Sequence, residues 1–211
     1  NNRYAGLYGG AGNDTLDGGA GDDYLDGGSG DDIVLGGEGN DDLYSGTGAD
    51  IVIGGAGSDR LWSDHSTDTA AIKAKSYATL PVSPLADGST LAVEGVEKMV
   101  IFAGSGNDDL NFVSATATDV VGLYGYDGND YLRGGTGNDN QATNFGYLYI
   151  YGAWNNRYAG LYGGAGNDTL DGGAGDDYLD GGSGDDIVLG GEGNDDLYSG
   201  TGADIVIGGA G

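Results

Sequence analysis

Aspartate recurs every nine residues along the first part of the chain, a spacing regular enough to build metal sites. The series consists of Asp14, Asp23, Asp32, Asp41, Asp50 and Asp59. Hard divalent cations such as Ca2+ prefer carboxylate and carbonyl oxygens as ligands. The chain has 34 acidic residues, 7 basic residues and a formal net charge of −27. A bound cation would therefore also relieve the charge repulsion that opposes a compact fold.

Each of these aspartates occupies the sixth position of a nine-residue unit. Glycine recurs at positions one, two and four, and an aliphatic residue occupies position eight. Because glycine permits positive φ and close backbone approach, positions one to six are expected to form a tight turn. Positions seven to nine form a short strand whose middle side chain points inward. The units read GGAGNDTLD, GGAGDDYLD, GGSGDDIVL, GGEGNDDLY, SGTGADIVI and GGAGSDRLW.

Two units make one coil of 18 residues, so aspartates 18 residues apart lie on the same edge in adjacent coils. The core is then a thin ladder of leucine and valine, too small to support folding alone. An aspartate pair and carbonyls from the glycine turns can enclose a cation, so metal binding and folding should be coupled. The predicted pairs are Asp14 with Asp32, Asp23 with Asp41, Asp32 with Asp50, and Asp41 with Asp59.

The tandem units resemble the RTX (repeats-in-toxin) family, whose consensus nonapeptide is GGxGxDxUx. The resemblance covers about two thirds of the chain. It implies an all-β fold, a right-handed parallel β-roll or β-solenoid with multiple calcium ions in both rows of turns. It also implies type I secretion, in which a bacterial chain leaves the cell unfolded and folds on meeting extracellular calcium.

The resemblance implies a ligand set as well. In the family, one turn contributes the carbonyls of positions two and four, and the next turn on that edge contributes those of positions one and three. In the first block the carbonyls are those of Gly10, Gly12, Gly19, Gly21, Gly27, Gly28, Ser29, Gly30, Gly36, Gly37, Glu38, Gly39, Ser45, Thr47, Gly54 and Ala56. The second block uses Asp168, Asp177, Asp186, Asp195 and Asp204 with the carbonyls of Gly164, Gly166, Gly173, Gly175, Gly181, Ser183, Gly190 and Glu192.

Two departures from the consensus bear on these sites. Ser45 replaces the first glycine of its turn, but only its carbonyl is needed there, so the site should survive. Asp22, Asp31 and Asp176 add charge at position five, where we expect solvated surface carboxylates.

A longer repeat encloses the short one. Residues 1–57 recur without a change as residues 155–211, an offset of 154. A recent duplication, an artificial joining or a homogenised tandem array would each explain this identity. The array is favoured, because the chain starts and stops inside the unit and no Pro- or Ser-rich linker separates the copies.

The pattern breaks after the first block, which spans 1–62. Residues 63–87 contain no glycine, both prolines and the single histidine, His65. We expect an insertion over 63–102, with a loop and short strands lying against the roll before the chain re-enters the solenoid. Weaker RTX turns follow over 103–142. Counting along the edges pairs Asp108 with Asp130 and Asp119 with Asp139.

Residues 143–162 lack aspartate and are expected to form a metal-poor aromatic coil before the second block, 163–211. Arg157 and its copy Arg3 could point outward, or Arg157 could replace a calcium between Asp139 and Asp177. The aromatic side chains could stack between coils, plug the core, or be exposed for lateral contact. They are Phe145, Tyr147, Tyr149, Tyr151, Trp154, Tyr158 and Tyr162.

The motifs of catalysis are missing, and we expect no enzyme. A zinc triad or HExxH motif needs more than one histidine, and His65 is expected to be a plain surface residue. The sequence has no GxSxG, no Gly-Lys-Ser/Thr and no EF-hand spacing. The acidic surface disfavours nucleic acid and anionic membranes, and no apolar run is long enough to span a bilayer.

Three functions remain open. The leading one is a calcium-rigidified rod within a large secreted or cell-surface protein, such as an adhesin stalk, surface layer or extracellular filament. Such a rod is expected to self-associate or to continue as a tandem array. The alternative is the secretion and folding module of a type I-secreted enzyme or toxin. Ice binding is disfavoured, because position three carries no threonine ladder.

Overall fold

The computed structural model describes residues 6–77, 85, 88–112, 120–135 and 160–211. The regular elements in these ranges are β-strands, and every strand pairing is parallel. The nine-stranded sheet contains β1 (Gly6–Ala11), β3 (Tyr24–Ser29), β5 (Asp42–Tyr44), β7 (Arg60–Asp64), β10 (Lys98–Phe102), β12 (Val120–Asp127), β14 (Gly160–Ala165), β16 (Tyr178–Ser183) and β18 (Asp196–Tyr198).

A ten-stranded sheet faces the first. In spatial order it contains β2 (Thr15–Ala20), β4 (Ile33–Glu38), β6 (Asp50–Ala56), β9 (Leu91–Glu94), β8 (Lys73–Tyr77), β11 (Asp109–Asn111), β13 (Tyr131–Arg133), β15 (Thr169–Ala174), β17 (Ile187–Glu192) and β19 (Ile205–Ala210).

Within the repeat blocks, successive strands alternate between the two sheets, as a solenoid requires. Leu7 pairs with Leu25 in the nine-stranded sheet, and Leu16 pairs with Val34 in the ten-stranded sheet. Each pairing spans 18 residues, because two nonapeptides complete one coil. This confirms the predicted parallel β-solenoid and its coil length.

The core between the sheets is one side chain wide. Position-eight residues fill it, and those that the structure describes from Leu16 to Val188 have almost no exposed surface, whereas Val206 in the last coil is 47% exposed. Because each nonapeptide contributes one large apolar side chain, the core stabilises the roll only modestly for its length. Its regular members are Leu16, Leu25, Val34, Leu43, Val52, Leu61, Leu110, Leu123, Leu132, Leu161, Leu170, Leu179 and Val188.

The insertion places two strands inside the ten-stranded sheet, so its strands do not lie against the roll as expected. Strand β9 follows β8 in the chain but lies between β6 and β8 in space. Val52 pairs with Val93 on one side of β9, and Leu91 pairs with Ala74 on the other. The nine-stranded sheet gains no strand here, because β7 pairs directly with β10.

An aromatic column runs along the outer face of the nine-stranded sheet, with one ring from each strand. Tyr124 and Tyr162 stack with their ring centroids 4.6 Å apart and an interplanar angle of 6°. Tyr162 therefore stacks between coils, and the other six residues of the predicted aromatic segment lie outside the described residues. The column comprises Tyr8, Tyr24, Tyr44, Trp62, Phe102, Tyr124, Tyr162, Tyr178 and Tyr198.

The extra strand has a geometric consequence in proteins that carry several copies of the 154-residue unit. From β1 to its duplicate β14 the nine-stranded sheet advances six strand positions, whereas from β2 to its duplicate β15 the ten-stranded sheet advances seven. One sheet is therefore longer by one strand spacing of about 4.8 Å per unit. Because the two sheets lie about 10 Å apart, this difference should bend the roll by about half a radian per unit. Electron microscopy of multi-unit, calcium-loaded chains should show curved rods, whereas rods built only of uninterrupted nonapeptides should be straighter. Straight multi-unit rods would contradict the prediction.

Candidate metal centre

The turns form two rows along the roll. Row one leads from the nine-stranded into the ten-stranded sheet, and row two leads back. Asp119 and Asp139 lie outside the described residues. Row one carries Asp14, Asp32, Asp50, Asp108, Asp130, Asp168, Asp186 and Asp204, and row two carries Asp23, Asp41, Asp59, Asp177 and Asp195.

Each aspartate is tied to the aspartate of the neighbouring turn in its row. The Asp14 backbone N–H donates to Asp32 Oδ1 at 2.9 Å, and the Asp32 N–H donates in turn to Asp50 Oδ1 at 2.9 Å. The structure therefore brings together every pair that the 18-residue spacing predicts in the two blocks. The remaining links join Asp23 to Asp41, Asp41 to Asp59, Asp168 to Asp186, Asp177 to Asp195, and Asp186 to Asp204.

The weaker turns continue row one. The Asp108 N–H donates to Asp130 Oδ1 at 2.9 Å, so this predicted pair is adjacent. Asp108 itself stacks on the insertion, because the Ile72 N–H donates to its Oδ1 at 2.7 Å. The Gly104 N–H of its own turn donates to its Oδ2 at 3.3 Å. In the next turn Tyr126 replaces the second glycine with φ of 74°, a conformation that favours glycine.

Row one also continues into the second copy, through a link that the 18-residue spacing does not predict. The Asp130 N–H donates to Asp168 Oδ1 at 2.8 Å across 38 residues. Strand β12 pairs directly with β14, and β13 with β15. The signal that could have revealed this register is the shared tetrapeptide GLYG at 122–125 and 160–163. Arg3 and Arg157 lie outside the described residues.

The second carboxylate oxygen of most of these aspartates is buried and has no hydrogen-bond partner. A buried carboxylate oxygen in this state is costly, and a bound cation would remove that cost. Each of the affected aspartates has a further turn stacked beyond it. They are Asp14, Asp23, Asp32, Asp41, Asp50, Asp59, Asp130, Asp168 and Asp186.

These oxygens point into a space that glycine keeps open. A Cβ added at Gly27 would lie 2.7 Å from Asp32 Oδ2 and 2.5 Å from the Ser45 carbonyl oxygen. At Gly18 the same contacts are 3.0 Å to Asp23 Oδ2 and 2.6 Å to the Gly36 carbonyl. The first glycine is therefore needed for space. Ser45 presents its carbonyl where other turns present that of glycine.

Further carbonyls face the same gap. The Gly10 and Gly12 carbonyl oxygens abut Gly28 and Gly30 of the next turn, whose φ values are 101° and 118°. The Ser29 carbonyl accepts the Gly12 N–H at 2.8 Å and keeps a second lone pair. Two carboxylates and four carbonyls thus border each regular gap, which suits the six to eight oxygens that Ca2+ takes. Among the described residues, no group of three or more Asp, Glu, His or Cys side chains is arranged so that the side chains alone could hold a metal ion.

Burial also raises the pKa of several row aspartates. Desolvation raises the pKa of Asp50 and of Asp130 to about 7, and the pKa of Asp59 and of Asp168 to about 6. Backbone N–H donors oppose this shift, and neighbouring carboxylates add to it. The ionised rows therefore destabilise the fold in the absence of a cation.

A comparison with known protein families decides what these rows are. The profile of the RTX calcium-binding nonapeptide repeat matches residues 7–34, 35–69, 123–140, 161–188 and 180–211. The chain belongs to this family. As an RTX repeat chain it binds multiple calcium ions, and the partnerless carboxylate oxygens fit that cation. No curated protein matches the chain.

Position five adds a second ladder outside each row of aspartates. Asp31 is exposed as expected, but its Oδ1 accepts the Ala49 N–H at 3.1 Å, and its own N–H donates to Asn13 Oδ1 at 3.0 Å. Asp22 accepts the Asn40 N–H at 3.0 Å in the same way. Each of these side chains thus links two adjacent turns by accepting a backbone N–H from the next turn. The recurrence of Asn or Asp at position five was the signal for this role.

His65 is fully buried, so the expected surface position is wrong. Its Nε2 lies 3.0 Å from Ser63 Oγ, and its Nδ1 lies 3.1 Å from Asp68 Oδ2. Ser63 Oγ lies 2.7 Å from Ser45 Oγ. These are the residue types of a hydrolase triad, but Ser63 is closed to solvent. The cluster satisfies buried polar groups where Ser45 replaces glycine.

The position-five ladder can be tested at Asn40, whose Oδ1 accepts the Ser58 N–H at 2.9 Å. Asn40→Ala removes this acceptor and should lower the free energy of unfolding in calcium by about 1 kcal/mol. Asn40→Asp keeps an acceptor oxygen and should lose less. Urea unfolding measures both, and equal losses in the two variants would contradict the ladder.

The raised pKa values predict how the calcium-free chain responds to pH. The folded-state pKa values of Asp50, Asp59, Asp130 and Asp168 lie above the unfolded value of 3.8. Folding therefore takes up protons, so stability is greatest below about pH 4 and falls as pH rises towards about 7. Without calcium, circular dichroism should show more strand structure at about pH 5 than at about pH 7.5. A decrease in strand structure on acidification would overturn this.

Proposed function

We propose that the chain is a calcium-stabilised rod segment of a large secreted or cell-surface protein. The observation that supports this proposal most directly is the continuity of the roll into the second copy. Both sheets and the Asp130–Asp168 link pass from the first unit into the duplicated block. An array of such units would therefore form one solenoid, as a stalk, surface layer or filament requires.

Calcium would stabilise this rod by joining adjacent turns. In the first row-one gap, Asp14, Asp32 and the carbonyls of Gly10, Gly12, Gly27 and Ser29 would hold the ion. The ion neutralises two buried carboxylates and links coils whose narrow core stabilises them only modestly. The roll would then form where free calcium is high, as it is outside the cell.

We propose a structural role rather than catalysis for two reasons. The carboxylate pairs recur in every regular turn, and in the Ser63–His65–Asp68 cluster the serine and the histidine are closed to solvent. No helix long and apolar enough to cross a membrane occurs in the described part of the chain. Self-association, through the ends of the roll or through the insertion, belongs to this proposal.

The second candidate is a secretion and folding module of a type I-secreted enzyme or toxin. Membership of the RTX family favours it. The rod is preferred, because a folding module does not require identical units to stack in one continuous sheet.

Calcium titration of the whole chain tests the proposal. Circular dichroism should show strand formation on adding calcium and its loss on adding a chelator. Asp32→Asn removes a carboxylate that borders two gaps and should raise the midpoint calcium concentration several-fold. Asp17→Asn removes an exposed carboxylate outside the rows and is the charge-matched control.

Two outcomes would count against the proposal. A chain that folds equally well without calcium at neutral pH would contradict calcium-dependent folding. A rod also predicts that the contour length of longer arrays, traced by electron microscopy, grows with each added unit by about 30 Å. A contour length that stays constant would favour the folding module.

A further inference from the structure

Glu97 occupies a place in row two that regular turns give to aspartate. The Asp59 backbone N–H donates to Glu97 Oε2 at 2.7 Å. In the preceding turns of row two the corresponding N–H groups, on Asp23 and Asp41, donate to aspartate Oδ1 at 2.9 Å. A glutamate carboxylate therefore continues this row into the insertion.

The turn that carries Glu97 is shorter than the turn before it. Ile53 pairs with Glu94 at one end and Arg60 pairs with Lys98 at the other. Six residues, 54–59, lie between these paired positions in the first turn, but only three, 95–97, do so in the second. The additional methylene of glutamate compensates for the shorter backbone, so the carboxylate still reaches the Asp59 N–H.

Asp59 supplies a second, independent sign of a cation site. Its side chain is fully buried, its Oδ1 accepts the Asp41 N–H, and its Oδ2 has no partner. A Cβ added at Gly54 would lie 2.6 Å from Asp59 Oδ2 and would collide with the Gly95 carbonyl oxygen. The partnerless oxygen and the next turn's carbonyl thus converge on one space, as at Gly27.

We propose that a calcium ion binds between the turns 54–59 and 95–97, with Glu97 as its second carboxylate ligand. Asp59 is the first carboxylate, and the carbonyls of Gly55, Gly57 and Gly95 complete the protein ligands. This inference rests on the proposed calcium-dependent fold. The short turn lacks the third-position carbonyl, so water takes that place and the ion binds more weakly than in a regular gap.

Such a site would couple the insertion to calcium. The short turn joins β9 to β10, and β9 fills the additional place in the ten-stranded sheet between β6 and β8. An ion held by Asp59 and Glu97 fixes the start of β10 and the end of β9 against the preceding coil. The irregular coil of each unit would then require calcium as the regular coils do.

Glu97→Gln tests the site, because glutamine keeps an oxygen that can accept the Asp59 N–H but lacks the charge. Native mass spectrometry of the calcium-loaded whole chain should count one ion fewer than in wild type. Hydrogen exchange at Leu91–Glu94 should be faster at limiting calcium. Asp17→Asn, the charge-matched control, should match wild type in both measurements.

The outcomes separate this site from the general proposal. An unchanged ion count in a folded Glu97→Gln chain would overturn the site and leave the calcium roll standing, since Glu97 would then be only an acceptor. A wild-type chain that neither binds nor folds with calcium would overturn the proposed function itself. If Glu97→Gln does not fold, Glu97→Asp provides the count, because its shorter side chain keeps the charge but should not reach the ion.

Discussion

The fold depends on rows of carboxylates that are buried between stacked turns and face backbone carbonyls. At Asp50, for example, one carboxylate oxygen accepts the Asp32 N–H, and the other has no protein partner. Such an arrangement opposes folding when the carboxylates are ionised and unliganded, and it stabilises the fold when calcium lies between them. A core one side chain wide cannot offset that repulsion by itself. The calcium response that we propose for this chain therefore follows from its architecture.

The irregular regions preserve the same geometry with different residues. Ser45 keeps its carbonyl in place, and its hydroxyl joins the buried Ser63–His65 cluster. Tyr126 adopts a positive φ that glycine would adopt more easily, and its carbonyl still faces the next turn. Across the insertion, β7 pairs directly with β10, so the nine-stranded sheet continues without an additional strand. What is maintained is the stacking of turns and sheets, since each coil is stabilised mainly by its neighbours.

Much of the fold and of the site could be predicted, because the nonapeptide repeat is a short-range sequence pattern. The parallel solenoid, the 18-residue coil, the inward position-eight residues and the aspartate pairs of both blocks follow from one period of nine. The buried His65, the strand order β6–β9–β8 and the Asp130–Asp168 link could not be read in this way. Each of them depends on which distant segments become neighbours where the period fails, and there no fixed spacing defines the register.

The β-roll, its calcium chemistry and the composition of the regular turns follow from the amino-acid sequence, because every unit repeats the same glycine, aspartate and aliphatic positions. The path of the roll past the insertion and into the second copy is visible only in the fold. The fold also shows that Asn and Asp at position five accept backbone N–H groups of the next turn, and that Glu97 occupies a position that regular turns give to aspartate. These features involve side chains that meet across coils, and outside the regular period the pairing of the strands defines which residues face each other.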